Sequence, residues 1–163
     1  MAPSEPGFRV LFVCTGNICR SPLAAGALIH ELGPDASRVE VGSAGTAAWE
    51  GQPASEYSVE VAGREGVDLS GHRSRRVTPA LLRAADLVLV MERGHLSSVH
   101  ALGSDPRRTF VLSEWPEPGE PQLPVVDPFG ASIEAYEECW RRIQRHVRRV
   151  APRVVEALRT RSL

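Results

Sequence analysis

The sequence predicts an α/β fold, a parallel sheet covered by helices on both faces. Three observations predict it. Short runs of branched and aromatic residues alternate with longer amphipathic segments along the chain. The runs "RVLFVC" and "DLVLVM" are nearly continuous in apolar residues, as suits strands buried on both faces. The last segment carries apolar residues at three- and four-residue spacing from Ile133 through Trp140 and Val147 to Leu158, one helix face turned to a sheet.

Taken in order, "RVLFVC" stops at a Gly-containing loop and reads as a buried strand. Ser21-Pro22 fits a helix start, followed by an apolar stripe of Leu23, Ala27 and Leu28. "RVEVGSAGT" is a second strand running into a Gly-rich loop, and "ASEYSVEVAGREG" is a helix closed by glycine. Pro79 to Ala85 is a short helix leading into "DLVLVM". A helix from Glu92 to Leu102 then precedes the fourth strand, "RTFVL". Between Ser113 and Gly130 lies a Pro-, Glu- and Gly-rich loop, too long for a plain connection and therefore a functional candidate. Pro152 should kink or divide the final helix.

The length of 163 residues suits one domain, residues 8–163, behind a flexible tail of residues 1–7. A net charge of -1 argues against nucleic acid as a partner. All 19 basic residues are arginine, and the eight between Arg141 and Arg161 read most simply as the solvated face of the last helix. No apolar run approaches a membrane span, and "MAPSEPGFR" lacks the pattern of a signal peptide, so a cytoplasmic location is expected. Three cysteines do not make a disulfide framework and point to reduced thiols.

The chemistry concentrates in "VLFVCTGNICRSPLA". Ligands of open parallel sheets bind beyond the carboxyl ends of the strands, and Cys14 sits at such an end. Thr15, Gly16, Asn17, Ile18 and Cys19 are mostly small, so their amides can converge on one anion ahead of a helix N-terminus. In that setting Cys14 is expected to act as a thiolate nucleophile. Arg20, six positions later, can grip two oxygens of a tetrahedral oxyanion, a bidentate geometry that lysine does not reproduce. The substrate implied is a phosphate ester. The plainer alternative, a buried strand cysteine and a surface arginine, ignores the coincidence of strand, small-residue loop, Arg-Ser-Pro and helix.

"VCTGNICRSP" resembles the active-site loop of the low-molecular-weight protein tyrosine phosphatases, and the likeness extends through "SAGT", "GHRSRR", "ADLVLVMERGH" and "DPFG". The resemblance implies a three-layer sandwich with a four-stranded parallel sheet in the order 2-1-3-4. It implies catalysis without metal or cofactor through a cysteinyl-phosphate, and a late Asp-Pro loop that supplies the general acid. The partner implied is a phosphotyrosine-bearing protein, a bacterial tyrosine kinase among the candidates, with a monomeric enzyme and no membrane or nucleic-acid role. Of two Asp-Pro pairs, Asp105 joins a helix to a strand and reads as a turn. Asp127 lies in the long loop, matches the family's Asp-Pro and is expected to transfer the proton.

By the same resemblance Asn17 takes a left-handed backbone held by Ser43 and His72, whereas on residues alone His72 reads as a surface histidine. Ser21 either bonds the Cys14 sulfur or caps the helix. Cys19 either fills space or, by resemblance, resolves an oxidised Cys14 as a disulfide, and both can hold. Cys139 is expected in the core. Trp49 and Phe129 either wall an aryl slot with Ile18 at its rim or pack their own loops. "DPFGASIEAY" lacks the tyrosine pair common in the family and is closer to the related protein-arginine phosphatases, but those carry threonine where Ile18 stands. Phosphotyrosine is therefore favoured over phosphoarginine. Thioredoxin-coupled arsenate reductases need cysteines that are absent between Cys19 and Cys139. A non-catalytic phosphate-binding or redox-sensing module is the remaining alternative, which aryl phosphate turnover would decide.

Overall fold

The computed structural model describes residues 7–117, 124–161 and 163. Its strands are β1 (Phe8–Cys14), β2 (Val39–Gly45), β3 (Leu87–Val90) and β4 (Thr109–Val111), all parallel in the order β2-β1-β3-β4. This is the predicted sheet. The pleat of β1 sends Val10, Phe12 and Cys14 into one apolar cluster and Leu11 and Val13 into the other. The first cluster lies under α1 (Arg20–Leu32), α2 (Glu56–Arg64) and α5 (Ile133–Thr160). The second lies under α3 (Pro79–Ala84) and α4 (Arg93–Ala101), which completes three layers.

The topology places a crevice at the carboxyl ends of β1 and β3. The chain leaves β1 through α1 on one face and leaves β3 through α4 on the other, so the two connections diverge there. Register brings Cys14 opposite Gly45, at the same end of the sheet.

Two sequence expectations change in detail. The first helix begins at Arg20 with Cys19 at its N-cap, so Pro22 falls inside the first turn, where a missing N–H still costs little. The last helix is not divided: α5 runs for 28 residues through Pro152, whose ring lies on the exposed side, where water can serve the carbonyl left without a donor. Of the expected tail, residues 1–6 lie outside the described residues, while the Gly7 N–H donates to Arg38 O at 2.9 Å. Residues 118–123 of the long loop likewise lie outside the described residues. Among the described residues no helix is long and apolar enough to cross a membrane.

Candidate active site

The loop from Cys14 to Cys19 is wired with its carbonyls behind and its amides in front. Cys14 O accepts from Thr46 N at 2.9 Å, Thr15 O from Ala47 N at 3.0 Å, and Ile18 O from Ser55 N at 2.8 Å. Asn17 O accepts from His72 Nε2 at 2.7 Å. The N–H groups of Gly16, Ile18 and Cys19 take no partner among the described residues. Asn17, with φ 57°, supplies the left-handed step by which successive amides can converge, and Gly16, Ile18 and Cys19 all line the cavity. The result is a concave array of donors continued by the N-terminus of α1, the geometry that holds a tetrahedral oxyanion.

A buried polar shell fixes that curve. Asn17 Nδ2 donates to Ser21 Oγ at 2.8 Å and to Ser43 Oγ at 2.9 Å, while its Oδ1 accepts from Arg75 N at 2.9 Å. The Arg75 N–H sets the amide orientation, since a flipped group would face donor to donor. Ser21 Oγ, which accepts from Asn17, lies 2.9 Å from Cys14 Sγ and 3.5 Å from Ala44 O, so its hydrogen has the sulfur as its nearer acceptor once Cys14 is a thiolate. Asn17 N adds a second donor to that sulfur at 3.3 Å. The contact to Asn17 O requires the Nε2–H tautomer of His72. Burial first, then the charges of Arg73 and Arg75, hold this imidazole below the ordinary histidine range, against the opposing pull of the Asn17 carbonyl.

Arg20 is buried, with Nη1 bound to Val125 O at 3.0 Å and Glu92 Oε1 at 3.3 Å. Its Nη2 lies 3.4 Å from Thr15 Oγ1 and 3.7 Å from Asp127 Oδ2. Asp127 is half exposed, and its Oδ1 is occupied by the Phe129 N–H at 3.1 Å. Thr15 Oγ1 also meets His95 Nε2 at 2.9 Å. His95 is buried, and burial first, then the Arg20 charge, lowers its proton affinity, with Glu92 and Asp127 opposing.

Cys14, Arg20, Asp127, Ile18, Trp49 and Phe129 together line one cavity of about 270 Å³, joined by Thr15, Gly16, Ala47 and Gln52. Trp49 is 81% exposed and Phe129 67% exposed, so both stand at the mouth rather than folding into their own loops. Ser74 bonds the Trp49 carbonyl and ties that wall to the loop carrying His72. Cys19 is buried against Ser55 Oγ and Tyr136 Oη, each 3.4 Å from its sulfur, and burial pushes its thiol up. Cys139 lies in the core, pushed up to about 12 by burial. Asp105 is outside the cavity, its carboxyl drawn down to about 2 by bonds from Arg107. Among the described residues no cluster of three metal-ligating side chains occurs.

Sequence reasoning left four contributors without a role: Gly45, Arg75, Glu92 and His95. The last two had a readable signal. "MERGH" spaces Glu92 and His95 one helical turn apart directly after β3, at the carboxyl edge that made Cys14 a candidate.

Residues 9–161 match the family described as low molecular weight phosphotyrosine protein phosphatase. A probable low molecular weight protein-tyrosine-phosphatase EpsP of Ralstonia nicotianae is 37% identical over 148 residues, spanning 89% of this chain and 94% of that protein. Vibrio vulnificus Wzb, solved with benzylphosphonate, superposes with a TM-score of 0.79 at 33% identity, covering 90% of this chain and 98% of that one. The YwlE arginine phosphatase, solved as a variant with a phosphorylated active-site serine, gives a TM-score of 0.83 at 30% identity, covering 93% and 99%.

Proposed function

The chain belongs to the low molecular weight phosphotyrosine protein phosphatase family, and from that premise we propose how its own residues carry the hydrolysis and which phosphoester they take. It is a phosphoric monoester hydrolase working through a cysteinyl-phosphate. Cys14 Sγ attacks phosphorus, forming the S–P bond as the P–O bond to the leaving group breaks. Arg20 and the inward amides of the loop take the charge on the three equatorial oxygens. Asp127, through the Oδ2 not bound to Phe129, gives its proton to the leaving oxygen. The same carboxylate then takes a proton from water, which attacks phosphorus and expels the Cys14 thiolate into the hydrogen bonds of Ser21 and Asn17. A single observation carries this reading: Cys14 lies at one cavity with Arg20 and Asp127, its sulfur held by two donors.

The substrate is assigned as protein phosphotyrosine, with a bacterial tyrosine kinase as a candidate partner. Ile18, Trp49 and Phe129 give the cavity an apolar wall that a phenyl ring fills, and Ile18 offers no hydroxyl for a guanidinium. The benzylphosphonate solved with Vibrio vulnificus Wzb carries a phenyl ring one methylene from phosphorus. Likeness to an arginine phosphatase makes phosphoarginine the competitor.

Hydrolysis of phosphotyrosine and phosphoarginine peptides, with Cys14→Ser as the blank, tests both levels. Cys14→Ser is expected to abolish turnover while inorganic phosphate still binds. Asp127→Ala is expected to slow phenolic leaving groups by about a hundredfold or more, most for the least acidic, with Asp105→Ala close to wild type. Preference for phosphoarginine would overturn the substrate but leave the mechanism; a fully active Cys14→Ser variant would overturn the mechanism.

A further inference from the structure

His95 is a buried titratable group that the mechanism above leaves unused, and its contacts define where one hydrogen atom points. Its Nε2 lies 2.9 Å from Thr15 Oγ1, and its Nδ1 is buried with no partner among the described residues. Two tautomers are possible. With the proton on Nδ1, an N–H would be stranded in the interior, and orphaned buried N–H groups are rare and costly; a bare ring nitrogen is the lesser loss. Nε2 therefore carries the hydrogen and donates to Thr15.

Arg20 Nη2, which can only donate, approaches the same Thr15 oxygen at 3.4 Å. Both lone pairs of that hydroxyl are then occupied, and its own hydrogen must take the remaining direction. Thr15 is exposed and lines the cavity beside Cys14 and Arg20. Glu92 Oε1, 3.3 Å from Arg20 Nη1 and 3.7 Å from His95 Nε2, completes the bracket that α4 lays against the loop.

We propose that the Thr15 hydroxyl is a catalytic hydrogen-bond donor to a non-bridging phosphoryl oxygen, aimed by His95 as a positioning residue. The proposal rests on the phosphatase reading of the cavity. It adds a side-chain donor to a cradle otherwise made of backbone amides and one guanidinium. Such a donor acts most when charge accumulates on the equatorial oxygens, so its loss should fall more on kcat than on KM.

The test is a double-mutant cycle on p-nitrophenyl phosphate, with inorganic phosphate binding measured by calorimetry on the same proteins. Thr15→Val is expected to lower kcat/KM about ten- to a hundredfold, with Thr15→Ser recovering most of it. His95→Leu is expected to lose a smaller factor, chiefly in kcat, and His95→Gln, which keeps a donor, to recover part. In the Thr15→Val background His95→Leu should add less than about twofold. Wild-type kcat/KM and phosphate affinity in Thr15→Val would overturn the proposal. So would a full His95→Leu cost in that background, which would put His95 to work elsewhere than on the hydroxyl. If the wild-type protein turned over no aryl phosphate, the phosphatase reading would fall. The calorimetric comparison would still judge the donor, with weaker binding in Thr15→Val upholding it and equal binding overturning it.

Discussion

At Gly45 the second strand and the anion loop come as close as two backbones allow. A Cβ there would collide with Thr15 O and sit 2.9 Å from Ala48 Cβ and 3.0 Å from Asn17 N. No flexible side chain can yield to it, because the first and last of these neighbours are the loop itself. Gly45→Ala is therefore expected to destabilise the protein by about 1–3 kcal/mol, the range for overpacking a tight site. It should also lower kcat/KM at least about tenfold, since a small misplacement of the cradle is felt at the reacting atoms. Urea unfolding and steady-state turnover read the two effects, and a stable, fully active variant would contradict them. The meeting of Cys14 and Arg20 at one cavity was legible because strand, loop and helix lie side by side in sequence. The role of Gly45 was not, because the clash involves a carbonyl 30 positions away.

Among the elements, α5 shows best how tertiary contact overrides a local rule. Proline inside a helix costs about 3 kcal/mol relative to alanine, and on that ground alone Pro152 is expected to kink or divide the segment. The helix instead stays bound on both sides of it, with Val147 and Val150 before and Val154 and Leu158 after, all buried against the same core. Packing offsets the local loss. Because Pro152 itself is exposed, Pro152→Ala should recover part of that loss, stabilising the protein by about 1–3 kcal/mol without changing turnover. An unchanged unfolding midpoint would contradict this. The strands, by contrast, were legible to within a residue or two, since apolar runs bounded by turn residues have few other uses. The placing of α4 against the loop was not, because nothing local to "MERGH" says that it faces Thr15.

Across the whole molecule the two site histidines couple folding to acidity. Both His72 and His95 have proton affinities lowered by burial, whereas in the unfolded chain they titrate near the ordinary histidine value of about 6.5. Below that pH the unfolded chain binds protons that the native protein refuses, so stability is full above about pH 6.5 and falls as pH is lowered toward the depressed native values. Denaturant unfolding at pH 7.5 and 5.5 should show this loss, and His72→Gln should lessen it. An equal loss in that variant would assign the effect to other groups. The sheet order and both core layers follow from topology that the alternation of elements already constrained. What the residues alone left open were contacts between segments distant in the chain, including the bond from His72 to Asn17, which the family resemblance implied and which makes an apparent surface histidine a half-buried one.

The three tryptophans divide sharply. Trp115 and Trp140 are 6% and 3% exposed, against 81% for Trp49 at the cavity mouth. The molecule thus carries its own optical reporter. Acrylamide should quench the red-shifted emission of Trp49 while leaving the blue-shifted core pair bright, and an aromatic phosphonate seated against that wall should shield it. Fluorescence titration would then give occupancy directly, with no label and no turnover. Quenching that spared no tryptophan, or that no ligand altered, would place the indole away from the bound ring.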